Sequence, residues 1–172
     1  HIIGWNPFFF AGYPQHQFYP PLYAYLTALS SFVIPLTASF KLLFATTLVL
    51  LPLSFYFCAR SFGFSLNRAG IAMAAMFVIL FFFHDQYYGG NMGSTFNVGL
   101  ITHALGIALF FFYAGLLERE FGSKRWIMST ILFSLIILTH IIAAFAAAIL
   151  FVAYFICRAQ ARENYFWTAK HI

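Results

Sequence analysis

The chain has 172 residues, of which 63% are hydrophobic, 22% aromatic and only 8% charged. Soluble domains average roughly 45–50% apolar and about 25% charged residues, so a soluble globular class is excluded. The formal net charge of +5 does not point to nucleic acid, because the basic residues are spread over short connectors between apolar runs.

No charged residue occurs in stretches 1–40, 42–59, 69–84, 86–117 or 126–157. Apolar runs of about 18 or more residues read as transmembrane helices. In lipid a helix satisfies every backbone polar group within its own segment. The expected fold class is therefore all-α, a polytopic transmembrane helical protein. The chain starts at His1 rather than Met and ends at "WTAKHI", which reads as a fragment of a longer protein.

Residues 1–19 are aromatic and proline-broken, an external loop lying at the membrane surface. His16, with Tyr13, Gln15, Gln17 and Tyr19 beside it, is a candidate contact for a sugar-like or amphipathic ligand; an interfacial aromatic belt explains the same residues. Pro20 and Pro21 suit a helix start, where a missing N–H costs nothing. The helix they open, 20–34, ends near Pro35 and is short for a ~30 Å hydrocarbon core, so it is expected to be short or re-entrant.

Residues 41–59 form the next predicted span, with a kink expected at Pro52. A connector bearing Arg60 and Arg68 leads to a span over 69–86. The loop "HDQYYGGNMGSTFN" follows, then a span over 98–117. Asp85 is the one acid before residue 118. An ionisable group near lipid is a functional candidate, here as a base, metal ligand or donor-sugar contact; a solvated helix end is the competing reading. Asn91, with Gly89, Gly90, Gly93, Ser94 and Thr95, offers either a cradle for a polar group or a turn with an N-cap.

His103 shares a helix face with Gly99 and Gly106, spacing that suits an interhelical hydrogen bond where two helices come close. The last apolar run, 127–157, has 31 residues and lies between the basic connector 118–126 and a basic tail. One straight helix would be ~46 Å long, well beyond the core thickness. A pair of short helices, 127–138 and 142–157, turning near "LTHIIA", keeps both basic ends on one side; a single long tilted helix is the alternative. Such a turn would offer Thr139 and His140 to an outward cavity, with His140 as a donor to an anionic group.

The distribution of Lys and Arg places loops 60–68 and 118–126 in the cytoplasm and loop 84–97 outside. Cys58 and Cys157 have no CxxC or His/Cys ligand spacing and read as free packing thiols. No metal site, nucleotide loop or dinucleotide fingerprint is present in the sequence pattern.

In their order these features resemble the GT-C-type integral membrane glycosyltransferases. "YPPLYAYL" (19–26) is similar to their "PPLYYW" helix, and "IILTHIIAAFAAAIL" (136–150) to their "LTKGP" turn, with His140 in the lysine's place and no Gly-Pro after it. The chain is also similar to the prokaryotic "6-pyruvoyl-tetrahydropterin synthase-related" multi-span proteins. That likeness rests on Gly12-Tyr13-Pro14, Tyr19-Pro20-Pro21-Leu22, Gly89-Gly90-Asn91 with Ser94-Thr95, and Leu138-Thr139-His140. The resemblance implies sugar transfer from a polyprenyl-phosphate donor at the outer face of a prokaryotic plasma membrane. It implies a divalent cation held by acidic residues outside this chain, with membrane lipid as partner and no nucleic acid. A non-enzymatic transporter or lipid handler is the alternative. Asp85 and His140 are expected to line one outward cavity, with the aromatic loop as its rim.

Overall fold

A computed structural model describes residues 4–6, 13–15, 21–82, 92, 95, 101–121 and 126–170, with side chains as far as Arg158 and backbone alone for 4–6 and 13–15. The described residues are helical apart from short connectors and one small antiparallel ribbon, β1 (Gly4–Asn6) and β2 (Tyr13–Gln15), paired with Trp5 opposite Pro14. The sequence reading treated this region as irregular throughout. A two-strand ribbon tolerates Pro14 because each strand has a free edge, where the missing N–H breaks no ladder bond.

Among the described residues the helices that follow are α1 (Leu22–Ser30), α2 (Leu36–Ser61), α3 (Leu66–Phe82), α4 (Ile101–Phe121), α5 (Ile127–Ile137) and α6 (Ile141–Lys170). Three described segments are long and apolar enough to cross a membrane: Leu36–Ser61, Ile101–Phe121 and Ile141–Arg158. The outward faces are apolar, as lipid requires; Phe32, Val33, Phe82 and Ile149 are among the large exposed side chains. The fold is that of a polytopic helical membrane protein.

The hydroxyls inside this apolar bundle are absorbed locally. Thr27, Thr46, Thr47, Ser61 and Ser134 each donate to the carbonyl one turn back in their own helix. This back-bonding lets Ser and Thr sit in a helix without an exposed polar group. Among the described residues no buried side-chain N or O atom lacks a partner.

Helix α2 begins at Leu36, so Lys41 lies inside it and not at its start. The helix continues through the buried Pro52. It ends in a left-handed residue, Gly63 at φ +82°, with Phe64 N–H donating to Ala59 C=O (3.1 Å) and Gly63 N–H to Arg60 C=O (3.2 Å). This pattern satisfies the last carbonyls and requires the positive φ that glycine adopts freely. Ser65 then caps α3, accepting from Arg68 N–H at 3.4 Å.

Helix α4 is the centre of the bundle. In its most apolar 18-residue stretch 44% of residues are buried, against 22% in that of α2 and 17% in that of α6. On one side α2 runs parallel to it, with Leu51 packed on Ala108 and the Phe55 and Phe111 rings 3.9 Å apart. Gly115 allows the approach, since a Cβ there would stand 2.8 Å from the Phe57 ring. On the other side Tyr113 and Leu117 pack against Ile136 of α5 and Ala143, Ala144 and Ala147 of α6.

One end of α4 holds the charges. Glu120 accepts from the N–H groups of Met128 (3.2 Å) and Ser129 (3.1 Å), placing a carboxylate at the start of α5. Glu118 binds Arg158 and Tyr154 of α6. Arg119 lies 4.3 Å over the Phe57 ring of α2. The start of α5 and the far turn of α6 therefore meet the same end of α4, and the two helices fold back on each other. The Trp126 and Phe151 rings, 6.4 Å apart, sit between them.

Candidate functional site at the helix break

The turn joining α5 to α6 packs against α4 on one side and is exposed on the other. Helix α5 has 11 residues and is about 16 Å long, roughly half of a ~30 Å hydrocarbon core. Helix α1 has nine residues and is about 14 Å long. The N–H of Leu22, at the start of α1, donates to the carbonyl of Leu138, just past the end of α5, at 2.8 Å. Two helices too short to cross thus meet at one backbone hydrogen bond. The contact satisfies an end carbonyl that lipid would leave bare.

Local bonds hold the turn. Thr139 and His140 N–H both donate to Ile136 C=O at 3.0 Å, and the His140 carbonyl accepts from Ala144 N–H. Thr139 is fully buried, and its hydroxyl donates to Leu135 C=O at 2.6 Å. Its hydroxyl hydrogen is given to the backbone of α5, which fixes the side chain at the turn. Leu138 and Ile141 on either side are exposed, as residues facing lipid.

His140 turns toward α4. Its Nδ1 lies 3.2 Å from Nδ1 of His103, with ring centroids 4.5 Å apart. Gly106, one turn along α4, makes room for this pair. A Cβ at Gly106 would lie 3.0 Å from the Cβ atoms of both His140 and Ala143. The pair sits 15 residues along α4 from Glu118, about 22 Å from the charged end. Two imidazoles at this distance share a proton, one donating and one accepting, or converge on a common electrophile.

The structure thus joins His140 to His103, for which the sequence pattern predicts an interhelical hydrogen bond. The signal was present in the Gly99, His103, Gly106 face, which marks where another helix approaches; its partner was not legible. Asp85, Asn91 and His16 lie outside the described residues. Tyr13 falls in β2, of which the backbone alone is described. Among the described residues no group of three or more His, Cys, Asp or Glu side chains could hold a metal ion. Cys58 is half-buried and Cys157 exposed, and both are free thiols.

Among the described residues, cavities also lie elsewhere. One, of about 330 Å³, opens between α4, α5 and α6 beside Trp126, Phe133 and Phe151. Its hydroxyls are already committed: Ser129 donates to the Glu120 carboxylate at 2.7 Å and Thr130 to Trp126 C=O. Another, of about 450 Å³, is an apolar groove between α2 and α3 beside Pro52. Neither gathers groups capable of chemistry.

No curated protein and no solved structure matches the chain. A family model described as "6-pyruvoyl-tetrahydropterin synthase related domain; membrane protein" matches residues 16–170, nearly the whole sequence and every helix described above. The chain therefore belongs to the 6-pyruvoyl-tetrahydropterin synthase related family of membrane proteins.

Proposed function

We propose that the chain is part of an integral membrane glycosyltransferase of GT-C type, moving a sugar from a polyprenyl-phosphate donor at the outer face of a prokaryotic plasma membrane. The observation that carries the reading is the His103–His140 pair, 3.2 Å apart at a helix break inside an otherwise apolar bundle. Polar groups at that depth are costly and mark a functional site by default. Loops 60–68 and 118–126 are cytoplasmic in this reading, so the histidines lie toward the outer face, where the donor phosphate is met.

In the transfer, the acceptor oxygen forms a bond to the anomeric carbon, and the bond from that carbon to the phosphate oxygen breaks. The acceptor proton passes to a carboxylate, assigned here to Asp85, and the polyprenyl phosphate leaves as an anion. His140 stabilises the charge that develops on the leaving phosphate. Asn91, His16 and Tyr13 contact the sugar from the outer loops.

The test is transfer of radiolabelled sugar from a polyprenyl-phosphate donor in membranes carrying the full protein. His140→Ala is expected to lower the rate about 10²-fold, the scale for losing one donor to a developing charge. Full activity in that variant, with His140→Ala still folded, refutes the role. A second reading is transport, favoured by the meeting of α1 and α5 at Leu22 and Leu138. Transporters build midplane sites from broken helices of this kind. Movement of an unaltered substrate into sealed vesicles, with no new glycosidic product, selects it.

A further inference from the structure

We propose that His103 and His140 form a two-histidine binding site for a borderline divalent cation, with zinc as the reference ion. The inference concerns the pair alone and does not depend on the transferase reading.

Geometry carries it. Zinc binds imidazole nitrogen at about 2.0–2.1 Å, so two nitrogens on one tetrahedral ion stand ~3.4 Å apart. The Nδ1 atoms of His103 and His140 stand 3.2 Å apart, close to that separation before any ion draws them together. The two nitrogens come from different elements, α4 and the turn before α6, which is how separate helices build a metal site in a bundle.

The support around the pair is rigid. Gly106 brings the start of α6 against α4, so close that a Cβ would stand 3.0 Å from that of His140. The turn is held by Thr139 Oγ1 on Leu135 C=O and by Leu22 N–H on Leu138 C=O. A site built this way has little reorganisation to undergo on binding. Imidazole nitrogen selects zinc, copper, nickel or iron over magnesium and calcium, which prefer oxygen. No third protein ligand is present among the described residues. The described residues thus supply two of the four positions of a tetrahedral ion, and other groups or oxygen ligands such as water or a phosphate would complete it.

The experiment uses the full protein, purified in detergent, loaded with Zn²⁺ and desalted, with bound metal measured by mass spectrometry. Co²⁺ serves as the spectroscopic probe, because tetrahedral coordination gives intense visible absorption. The expected result is about one ion per chain. His103→Gln and His140→Gln are each expected to weaken binding by about tenfold or more, at least the loss that removal of a second-shell partner brings. Cys58→Ser with Cys157→Ser is expected to bind as wild type. Helical circular dichroism and monodisperse elution report whether the variants fold. A measurement on the wild-type chain avoids that dependence: with ¹⁵N-labelled histidine, Zn²⁺ is expected to move two Nδ1 resonances together. Absence of stoichiometric metal overturns the proposal, as does binding unchanged in His103→Gln or a zinc response confined to other histidines. The pair is then a proton-sharing contact between helices.

Discussion

Replacing Gly106 with alanine tests the close approach that brings the two histidines together. The added methyl would lie 3.0 Å from the Cβ atoms of both His140 and Ala143, and ordinary carbon contacts begin several tenths of an ångström farther out. Neither contact is with the end of a flexible side chain, so the first turn of α6 must move away from α4. A shift of that size takes the Nδ1 separation of 3.2 Å past the usual hydrogen-bond range. Two energies oppose each other. Alanine is favoured over glycine inside a helix by about 0.8–1.0 kcal/mol. Overpacking a filled contact costs about 1–3 kcal/mol. The net expectation is destabilisation of about 0–2 kcal/mol, with loss of the histidine contact in every case. The larger Gly106→Leu should cost more. The assay pairs thermal unfolding of the purified protein with ¹⁵N spectra of the histidine rings. A Gly106→Ala protein that is more stable than wild type by about 1 kcal/mol, with unchanged histidine spectra, refutes the packing of α4 on the turn.

Other residues give separate tests. Glu120→Ala removes the carboxylate on the Met128 and Ser129 N–H groups and should cost about 1–2 kcal/mol. Faster hydrogen exchange at those two amides checks it, and unchanged protection there counts against the cap. Arg158→Ala should cost no more than about 1 kcal/mol, because Arg158 is 42% exposed and water screens its pairing with Glu118. A much larger drop in unfolding midpoint would mean that this end of α6 is shielded from water. Gly63→Ala meets nothing within 4 Å, so its cost is the left-handed backbone alone, about 1–2 kcal/mol. Equal stability of that variant would argue against the left-handed end of α2.

The sequence by itself determined the class of the protein. A chain with 63% hydrophobic and 8% charged residues has to place most of its length in lipid, and lipid forces helices. Two of the helices end at basic residues: Arg60 lies in the last turn of α2 and Arg119 in that of α4. Local pattern reached some details of the site as well. Leu138-Thr139-His140 was legible as a polar interruption in an apolar run, and Gly106 as part of a face made for close contact.

Tertiary structure decided what these residues meet. His103 and His140 are 37 residues apart, and no periodicity within α4 or α6 records which turn of one faces which turn of the other. That register comes from side-chain volumes, chiefly the missing Cβ of Gly106 and the small Ala143 opposite it. Glu118 and Glu120 looked alike as loop charges. Packing sends Glu118 to Arg158 and Glu120 to the N–H groups opening α5. The ribbon pairing Trp5 with Pro14 and the bond from Leu22 to Leu138 are backbone contacts that any side chain permits. Sequence pattern reports which face of a helix is apolar, since that depends on each residue's own transfer energy. It leaves open which backbone groups pair across the chain, since every residue but proline carries the same N–H and C=O.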